Sequence, residues 1–352
     1  MTHIGFRIFR YKIGLRHPIR ISRVTISSRT GLILVLIAPS GAAGLGEIAP
    51  LPGLHTEIIP DCIRQLQDLK KKNYPDRLRG HYSSGLWNEP VPGEKLLPSV
   101  AFGLQSALLG LTASESGRTV RSLLSDNPLD EIAVNALITD QDDGRSFLKS
   151  SFRTFKIKVG RRKMDAELNW IRGLMESLPS GAQLRLDANC KWDFTTAEKF
   201  CRGLEGLPVE FIEEPLLNYR ELPRLAEKVN IPIALDENLA DFTREEIPEW
   251  LGAAVVKPAL LPDIEPVMRL RKTGMKVVIS DAFQTGVGIF MEAELAAALG
   301  QKDVAMGFDT LSRLTERIVT GGPVIERGRI NLGKSAMTFG QLRTSLLEEI
   351  GI

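Results

Sequence analysis

Cysteine and histidine are both scarce in this chain of 352 residues, with three cysteines (Cys62, Cys190, Cys201) and four histidines (His3, His17, His55, His81). An odd cysteine count with no CxxC pair argues against a disulfide framework or a zinc knuckle. Scattered histidines leave oxygen as the abundant metal donor, which favours a hard cation such as Mg²⁺ over zinc. Charge imbalance is also missing. Lys+Arg number 45 and Asp+Glu 43, a net charge of +2. No basic cluster is interleaved with aromatics in the manner of a nucleic-acid surface, and KKKNY at 70–74 reads as a solvated helix end. No apolar run is long enough to cross a bilayer. The longest, around 32–39, carries β-branched residues and reads as a strand. The N-terminus lacks the apolar core and cleavage site of a signal peptide. A reduced, cytoplasmic protein that engages neither membrane nor nucleic acid is expected, and the sequence leaves monomer and homo-oligomer open.

The length suits two domains, or one large barrel with an accessory domain. Residues 1 to about 50 alternate apolar and polar positions in three runs: IGFRIFRYKI, IRISRVTISS, and GLILVLIAP through GLGEIAPLPG. Gly and Pro punctuate them, which predicts an antiparallel meander. Thr56 then opens a helix, a Pro- and Gly-bearing loop spans 75–98, Ser99 caps a second helix, and a third covers 117–125. This first part is α+β. From Ile132 strands and helices alternate. The predicted strands are 132–138, 154–159, 183–187, 209–213, 232–236, 253–257, 276–280 and 304–308. Helices are expected at 164–177, 195–206, 219–229, 242–250, 262–273 and 287–299, with a weakly patterned linker at 140–151. The class is α/β, and a (β/α) barrel is the natural closure. A doubly wound sheet would need a Gly-rich phosphate turn, which is absent. The last forty or so residues hold a hairpin, GGPVIERGRINL, and a short helix at 339–350. The expected division is residues 1–128, a barrel over 129–318, and a C-terminal segment, 319–352, that returns to the first domain.

The stretch 155–257 organises the chain. FKIKV (155–159), LRLDAN (184–189), FIEEP (211–215), IALDEN (233–238) and AAVVKP (253–258) each pass from apolar to charged. Their spacing of about 20 to 30 residues matches one strand–helix unit, so the charges form a ring at the C-terminal mouth. Side chains two apart share a strand face. Lys156 therefore goes with Lys158, Arg185 with Asp187 and Phe211 with Glu213, while Ile157, Leu186 and Ile212 face helices. Asp187, Glu213 and Asp236 come from consecutive strands. Brought together without a cation, one of them would have to take up a proton. A divalent ion resolves this as an octahedral oxygen site.

Lys156 and Lys158 flank that site from one side and Lys257 from the other. A lysine becomes a base when a neighbouring cation lowers its pKa, and Lys156 and the metal are placed to do that for Lys158. The expected chemistry is removal of a proton α to a metal-bound carboxylate, with the enediolate stabilised by Mg²⁺ and the remaining ammonium groups. A single charge at a barrel mouth is more often a salt bridge. Five coordinated charges would cost several kcal/mol per ion to bury, too much for stability alone. Glu214 and Glu237 point the other way by parity and brace the ligands or serve structure. Asn189 reaches the site or forms a turn, and the cysteines are ordinary core or near-core thiols.

The motifs KIK (156–158), LDAN (186–189), IEEP (212–215), LDEN (235–238) and VKP (256–258) resemble the enolase superfamily, in its muconate-cycloisomerase-like branch. Within it, GLGEIAPLPG (44–53), PSVAFGLQSAL (98–108), RLDAN, VVKPALL (255–261) and GFDTL (307–311) resemble the o-succinylbenzoate synthase family of the menaquinone pathway. The resemblance implies an α+β capping domain over the barrel, with Leu51, Pro52 and Gly53 as a candidate wall of the pocket. It implies that Asp187, Glu213 and Asp236 hold Mg²⁺, with Mn²⁺ as a substitute. Lys158 would be base and then acid in a syn elimination, Lys257 the electrostatic stabiliser on the opposite face, and Lys156 a tuning neighbour. The implied partner is a small-molecule carboxylate, 2-succinyl-6-hydroxy-2,4-cyclohexadiene-1-carboxylate, and the candidate substrate-binding residues are Arg185, Asn189, Ser280 and Asp281. The chain departs from the family text at Cys190, at Asn238 and over 280–286, beside the succinyl end of the pocket. An N-succinylamino-acid racemase or dipeptide epimerase keeps the same residues but ends in reprotonation. A cycloisomerase and a non-catalytic carboxylate-binding barrel are the further alternatives.

Overall fold

The computed structural model describes residues 3–21, 23–74, 76, 95–139, 151–242, 247–262, 264–333 and 336–351. The expected linker at 140–151, most of the loop at 75–98 and His81 fall largely or wholly outside them.

The first sheet contains β1 (Gly5–Ile21), β2 (Val24–Ile37) and β3 (Ala43–Ile48), all antiparallel. Its first turn falls inside the second alternating run, not between runs, because Ile19 pairs with Ile26 and Ile21 with Val24. The run GLILVLI is apolar throughout because both faces of β2 are covered. Leu32, Leu34 and Leu36 pack with the helical layer, while Ile33 and Val35 join the core shared with the barrel.

That helical layer is α1 (Ile59–Lys71), α2 (Pro98–Ser116) and α3 (Val120–Leu124). Helix α1 begins three residues later than Thr56, with Pro60 in its first turn and the Asp61 carboxylate accepting from Ile58 N at 3.1 Å. Helix α2 is buried almost all round, and the backbone of β3 rests directly on it. A Cβ on Gly46 would stand 1.7 Å from the carbonyl oxygen of Gly103. Gly46→Ala is therefore expected to cost about 1–3 kcal/mol or more by overpacking, measured as a fall in the urea midpoint.

The barrel sheet runs β5 (Ala136–Ile138), β6 (Thr154–Lys158), β7 (Gln183–Asp187), β8 (Val209–Glu213), β9 (Ile233–Leu235), β10 (Leu251–Val256) and β11 (Lys276–Ile279), each parallel to the next. Phe211, Ala234, Ala253, Val255 and Val278 form a small core of their own, the barrel interior. The alternate residues pack outward on α4 (Met164–Glu176), α5 (Phe194–Gly203), α6 (Leu222–Ala226), α7 (Leu239–Phe242), α8 (Glu265–Lys272) and α9 (Gly286–Leu299).

The expected strand at 132–138 splits. Its first part, β4 (Glu131–Ala133), leaves the barrel to pair with a C-terminal hairpin, β12 (Ile325–Glu326) and β13 (Arg329–Asn331). The expected strand at 304–308 shrinks to two bridges, Met306 to Val134 and Gly307 to Ser280. Those bridges close the ring: Asn135 N donates to Met306 O at 2.9 Å and Gly307 N to Ile279 O at 2.8 Å. The expected helix at 219–229 is a 3-10 turn leading into the short α6, and α7 ends where the helix at 242–250 was to begin. The C-terminal helix expected at 339–350 is also replaced. Two 3-10 turns precede β14 (Glu348–Ile350), whose residues pair with Arg10, Phe9 and Ile8 of β1. The bidentate Arg7–Glu349 pair, both contacts 2.7 Å, favours that extended end. Among the described residues, no helix is long and apolar enough to cross a membrane.

Candidate active site

The parallel register sets Lys158, Asp187 and Glu213 side by side at the ends of β6, β7 and β8. Asp236 follows β9 and Lys257 follows β10, so the strands deliver acids and amines to one mouth. The Lys156 ammonium donates to both Glu213 oxygens, at 2.9 and 2.7 Å, and stands 3.2 Å from Asp187 Oδ2. Lys257 donates to Asp236 Oδ2. Lys158 is the least buried of the three lysines and donates to Asn189 Oδ1 at 2.7 Å, with Asp187 Oδ2 at 3.6 Å.

Two enclosed ammonium groups thus face three buried carboxylates, one charge short of balance. Burial opposes ionisation of Asp187, but Lys156, Lys158 and Lys257 outweigh it and hold the carboxyl down to about 2. At Glu213 the deficit shows. Burial, then the charge of Asp187, push it up to about 8 against the pull of Lys156. Burial alone would lower the pKa of Lys156 and of Lys257, but the acids around them raise both. A strained surplus of buried carboxylate oxygen is the donor chemistry a hard divalent cation satisfies, so the three acids fit such an ion.

A tighter grouping of potential ligand atoms, all within 4.8 Å, consists of Cys190, Glu214 and Glu237. Glu214 is already committed there. Its Oε1 accepts from the backbone N–H groups of Asp236 and Asn238, both at 2.9 Å, and its Oε2 from Asn238 Nδ2 at 2.7 Å. Burial, with the charge of Glu214, pushes the Cys190 thiol up to about 12, which keeps it protonated. The other two thiols are buried and unbridged.

Glu214 therefore braces the loop that carries Asp236. It does so from a left-handed backbone, φ 44°, directly after Glu213, a conformation that costs about 1–3 kcal/mol for such a residue. Glu214→Ala would leave two part-buried N–H groups without their acceptor and loosen Asp236. Divalent-ion affinity should fall about 10–100-fold, measured by calorimetric titration beside the parent protein. The doubled acids of IEEP were the available sequence signal for this role.

Asn189 reaches the amines as one of its two expected roles required. It also has φ 47° and donates from its backbone N to Asp187 Oδ1 at 3.1 Å. Ser280 continues the inward face of β11 after Val278 and is half-buried. Two candidates are taken up by other partners. Arg185 shares a strand face with Asp187 but sits two residues deeper, in the barrel floor. Its guanidinium donates to Glu210 at 2.7 Å and to the Ala305 carbonyl at 2.5 Å, and Lys276 joins Glu210 at 2.7 Å. These partners stand at the N-terminal ends of their strands, so the arginine is spent far from the mouth. Asp281 has the opposite parity from Ser280 and is buried among the loops that follow β11. Its Oδ1 accepts from Phe283 N at 2.6 Å and from the Thr310 hydroxyl. Burial pushes it up to about 7.

No motif points to two residues of the first sheet that hold the β11 loop. Glu47 accepts from Tyr11 Oη, Thr285 N and Oγ1, and Gly288 N, at the start of α9. Arg29 donates to the carbonyls of Ala49, Pro50 and Phe283. Glu47 sits among apolar and small residues at the end of β3, and Arg29 lies in a polar stretch of β2, SSRT, that reads as a solvated strand.

The chain resembles known proteins along both parts. The sequence model described as Enolase C-terminal domain-like matches residues 141–336, and that described as MenC, N-terminal domain, matches residues 4–111. The o-succinylbenzoate synthase of Pasteurella multocida is 29% identical over 334 residues, covering 90% of this chain and 92% of that protein. That of Thermosynechococcus vestitus is 29% identical over 288 residues, 79% of this chain and 84% of that one. Protein PHYLLO, chloroplastic, from Arabidopsis thaliana is 28% identical over 341 residues, and the chain spans only 20% of its length. Among solved structures, the L-Ala-D/L-Glu epimerase of Bacillus subtilis superposes with a TM-score of 0.82 at 20% identity, covering 96% of this chain and 98% of that one. The dipeptide epimerase of Enterococcus faecalis complexed with Mg and L-Leu-L-Tyr superposes with a TM-score of 0.80 at 20% identity, over 95% of this chain and 98% of that one. These superpositions extend the likeness to the fold of both parts. With the match at 141–336 covering more than half of its length, the chain belongs to the Enolase C-terminal domain-like family of the enolase superfamily.

Proposed function

We propose that the protein is an o-succinylbenzoate synthase, which dehydrates 2-succinyl-6-hydroxy-2,4-cyclohexadiene-1-carboxylate to 2-succinylbenzoate. The observation that supports this is that amines from β6 and β10, the strands that flank β7, β8 and β9 in the sheet, reach the acids those three strands deliver. The curated synthases that align along nine-tenths of the chain support the choice of substrate.

Asp187, Glu213 and Asp236 would hold the divalent cation, Mg²⁺ or in its place Mn²⁺. When bound, it would supply positive charge beside the substrate carboxylate and so make the α C–H more acidic. Lys158, unprotonated, takes that proton onto Nζ. The electron pair left on carbon spreads onto the carboxylate oxygens, where the Lys257 ammonium stabilises it from the opposite face. As the ring C–O bond breaks, Lys158 returns the proton to the departing hydroxyl, and water leaves on the face from which the proton came. The ring becomes aromatic and the lysine is regenerated. Lys156 keeps Glu213 and Asp187 in place, while Asn189 orients Lys158. We take the chain to divide into a capping unit (1–128), a barrel (129–318) and a returning segment (319–352). The pairing of β14 with β1 supports that return, although the hairpin pairs with β4.

A second reaction uses the same groups. Lysines on both faces would also serve a racemase or epimerase, and the structural neighbours include dipeptide epimerases. The deciding assay compares the cyclohexadiene acid with N-succinyl amino acids, with Mg²⁺ and with chelator. Dehydration in Mg²⁺ alone supports the proposal. Turnover of only the amino acids would replace it with the racemase.

A further inference from the structure

Residues 49–55 of the capping unit lie against two loops of the barrel mouth. On one side Arg29 joins the carbonyls of Ala49 and Pro50 to that of Phe283. On the other stands His55, one of the few histidines, for which the proposed chemistry has no use. Leu51 N donates to His55 Nδ1 at 2.9 Å, and His55 Nε2 lies 2.9 Å from the carbonyl oxygen of Ala259. A ring nitrogen that accepts carries no proton, so Nδ1 is bare and Nε2–H donates to Ala259. The neutral ring in that one tautomer satisfies both contacts.

Ala259 is the middle residue of the 3-10 turn Pro258–Leu260, which starts directly after Lys257. The turn closes on the lysine itself, with Leu260 N donating to Lys257 O at 2.9 Å. From α2, Gln105 Nε2 donates to Pro262 O at 3.0 Å, just beyond the turn. The backbone that aims Lys257 is therefore held from the capping side, with His55 at its centre.

We propose that His55 is a positioning residue for Lys257, latching residues 49–55 onto the turn after β10 and so fixing where that ammonium stands. Because Lys257 acts only in the proposed reaction, the catalytic consequence rests on that function, whereas the latch does not. Burial lowers the pKa of His55, more than the Ala259 carbonyl, Glu57 and the Leu51 backbone together raise it, and Arg29 adds to the lowering. The charged groups acting on the ring are Glu57 from its own segment and Arg29 from β2. With the folded value below the unfolded one, the latch is intact above the ordinary histidine range. It opens as pH falls, when a proton on Nδ1 meets the Leu51 N–H.

Two substitutions separate the contacts. In His55→Gln the terminal amide nitrogen takes the place of Nε2 and keeps the donor to Ala259. In His55→Asn the amide oxygen takes the place of Nδ1 and keeps only the Leu51 contact. His55→Asn should lower kcat about tenfold with little change in KM, as a slightly misplaced charge does. His55→Gln should recover most of that rate and remove the acid limb of the pH profile. Nitrogen-15 NMR of the parent protein, independent of turnover, should show the neutral Nε2–H tautomer at pH 7. An Nδ1–H tautomer, a parent-like kcat in His55→Asn, or equal losses in both variants would overturn the proposal. If the parent turns over neither succinyl substrate but shows the Nε2–H tautomer, the proposed reaction fails while the latch stands.

Discussion

Lys158→Ala is expected to lower kcat by about 10³–10⁴-fold or more, because in the proposed reaction one amine serves both as base and as returning acid. Exchange of the substrate α-proton with solvent should disappear with it, and an NMR exchange assay in deuterated buffer measures this without product formation. The fold should survive. Lys158 is the most exposed of the three lysines, and its loss removes one hydrogen bond, to Asn189, and a 3.6 Å approach to Asp187. Lys257→Ala makes an instructive contrast. It should also abolish turnover, but it strips Asp236 of its ammonium partner and so should lower the melting temperature of the metal-free protein. Exchange that persists in Lys158→Ala would remove that residue from the role of base.

The metal-free protein should lose stability as pH rises from about 5 to about 8, and Glu213→Gln should flatten that slope while abolishing activity. Glu213 moves from an ordinary value of 4.5 up to about 8 on folding, through burial and the neighbouring Asp187. Inside that window the unfolded chain has released the proton and the folded chain still holds it. The folded state binds more protons, so stability falls with rising pH. Asp281, pushed up to about 7, and Glu292, raised by burial, act in the same direction, while His55, lowered by burial, acts against them, so a smaller slope remains in Glu213→Gln. Asp187 acts oppositely and lower down. Its stabilisation is complete above 3.8 and lost as pH falls toward about 2. If Glu213 is a ligand as proposed, Mg²⁺ takes its ionised form, so saturating Mg²⁺ should raise the melting temperature most at pH 8 and least at pH 5. Thermal melts at both pH values, with and without Mg²⁺, measure it. A metal-free protein equally stable at both would show that the acids are not crowded.

What the linear chain determined was the barrel and the identity of its charged ends. An apolar strand sealed by helices must turn polar where it emerges, and a parallel sheet brings every such emergence to one rim. Asp187, Glu213, Asp236 and the three lysines could therefore be named from spacing and strand parity. Depth and partnership were decided only by the tertiary structure. Parity set Arg185 on the side of Asp187, but two residues along a strand is about 7 Å, and the guanidinium was captured by Glu210 in the floor. Parity likewise turned Asp281 away from Ser280, where Thr310 and burial hold it. Glu47, Arg29 and His55 reach across some 200 residues of sequence or more to hold loops of the mouth. No local pattern records such contacts, because each depends on two separately folded surfaces meeting, and a hydrogen bond forms only where closure of the whole chain places donor and acceptor within about 3 Å.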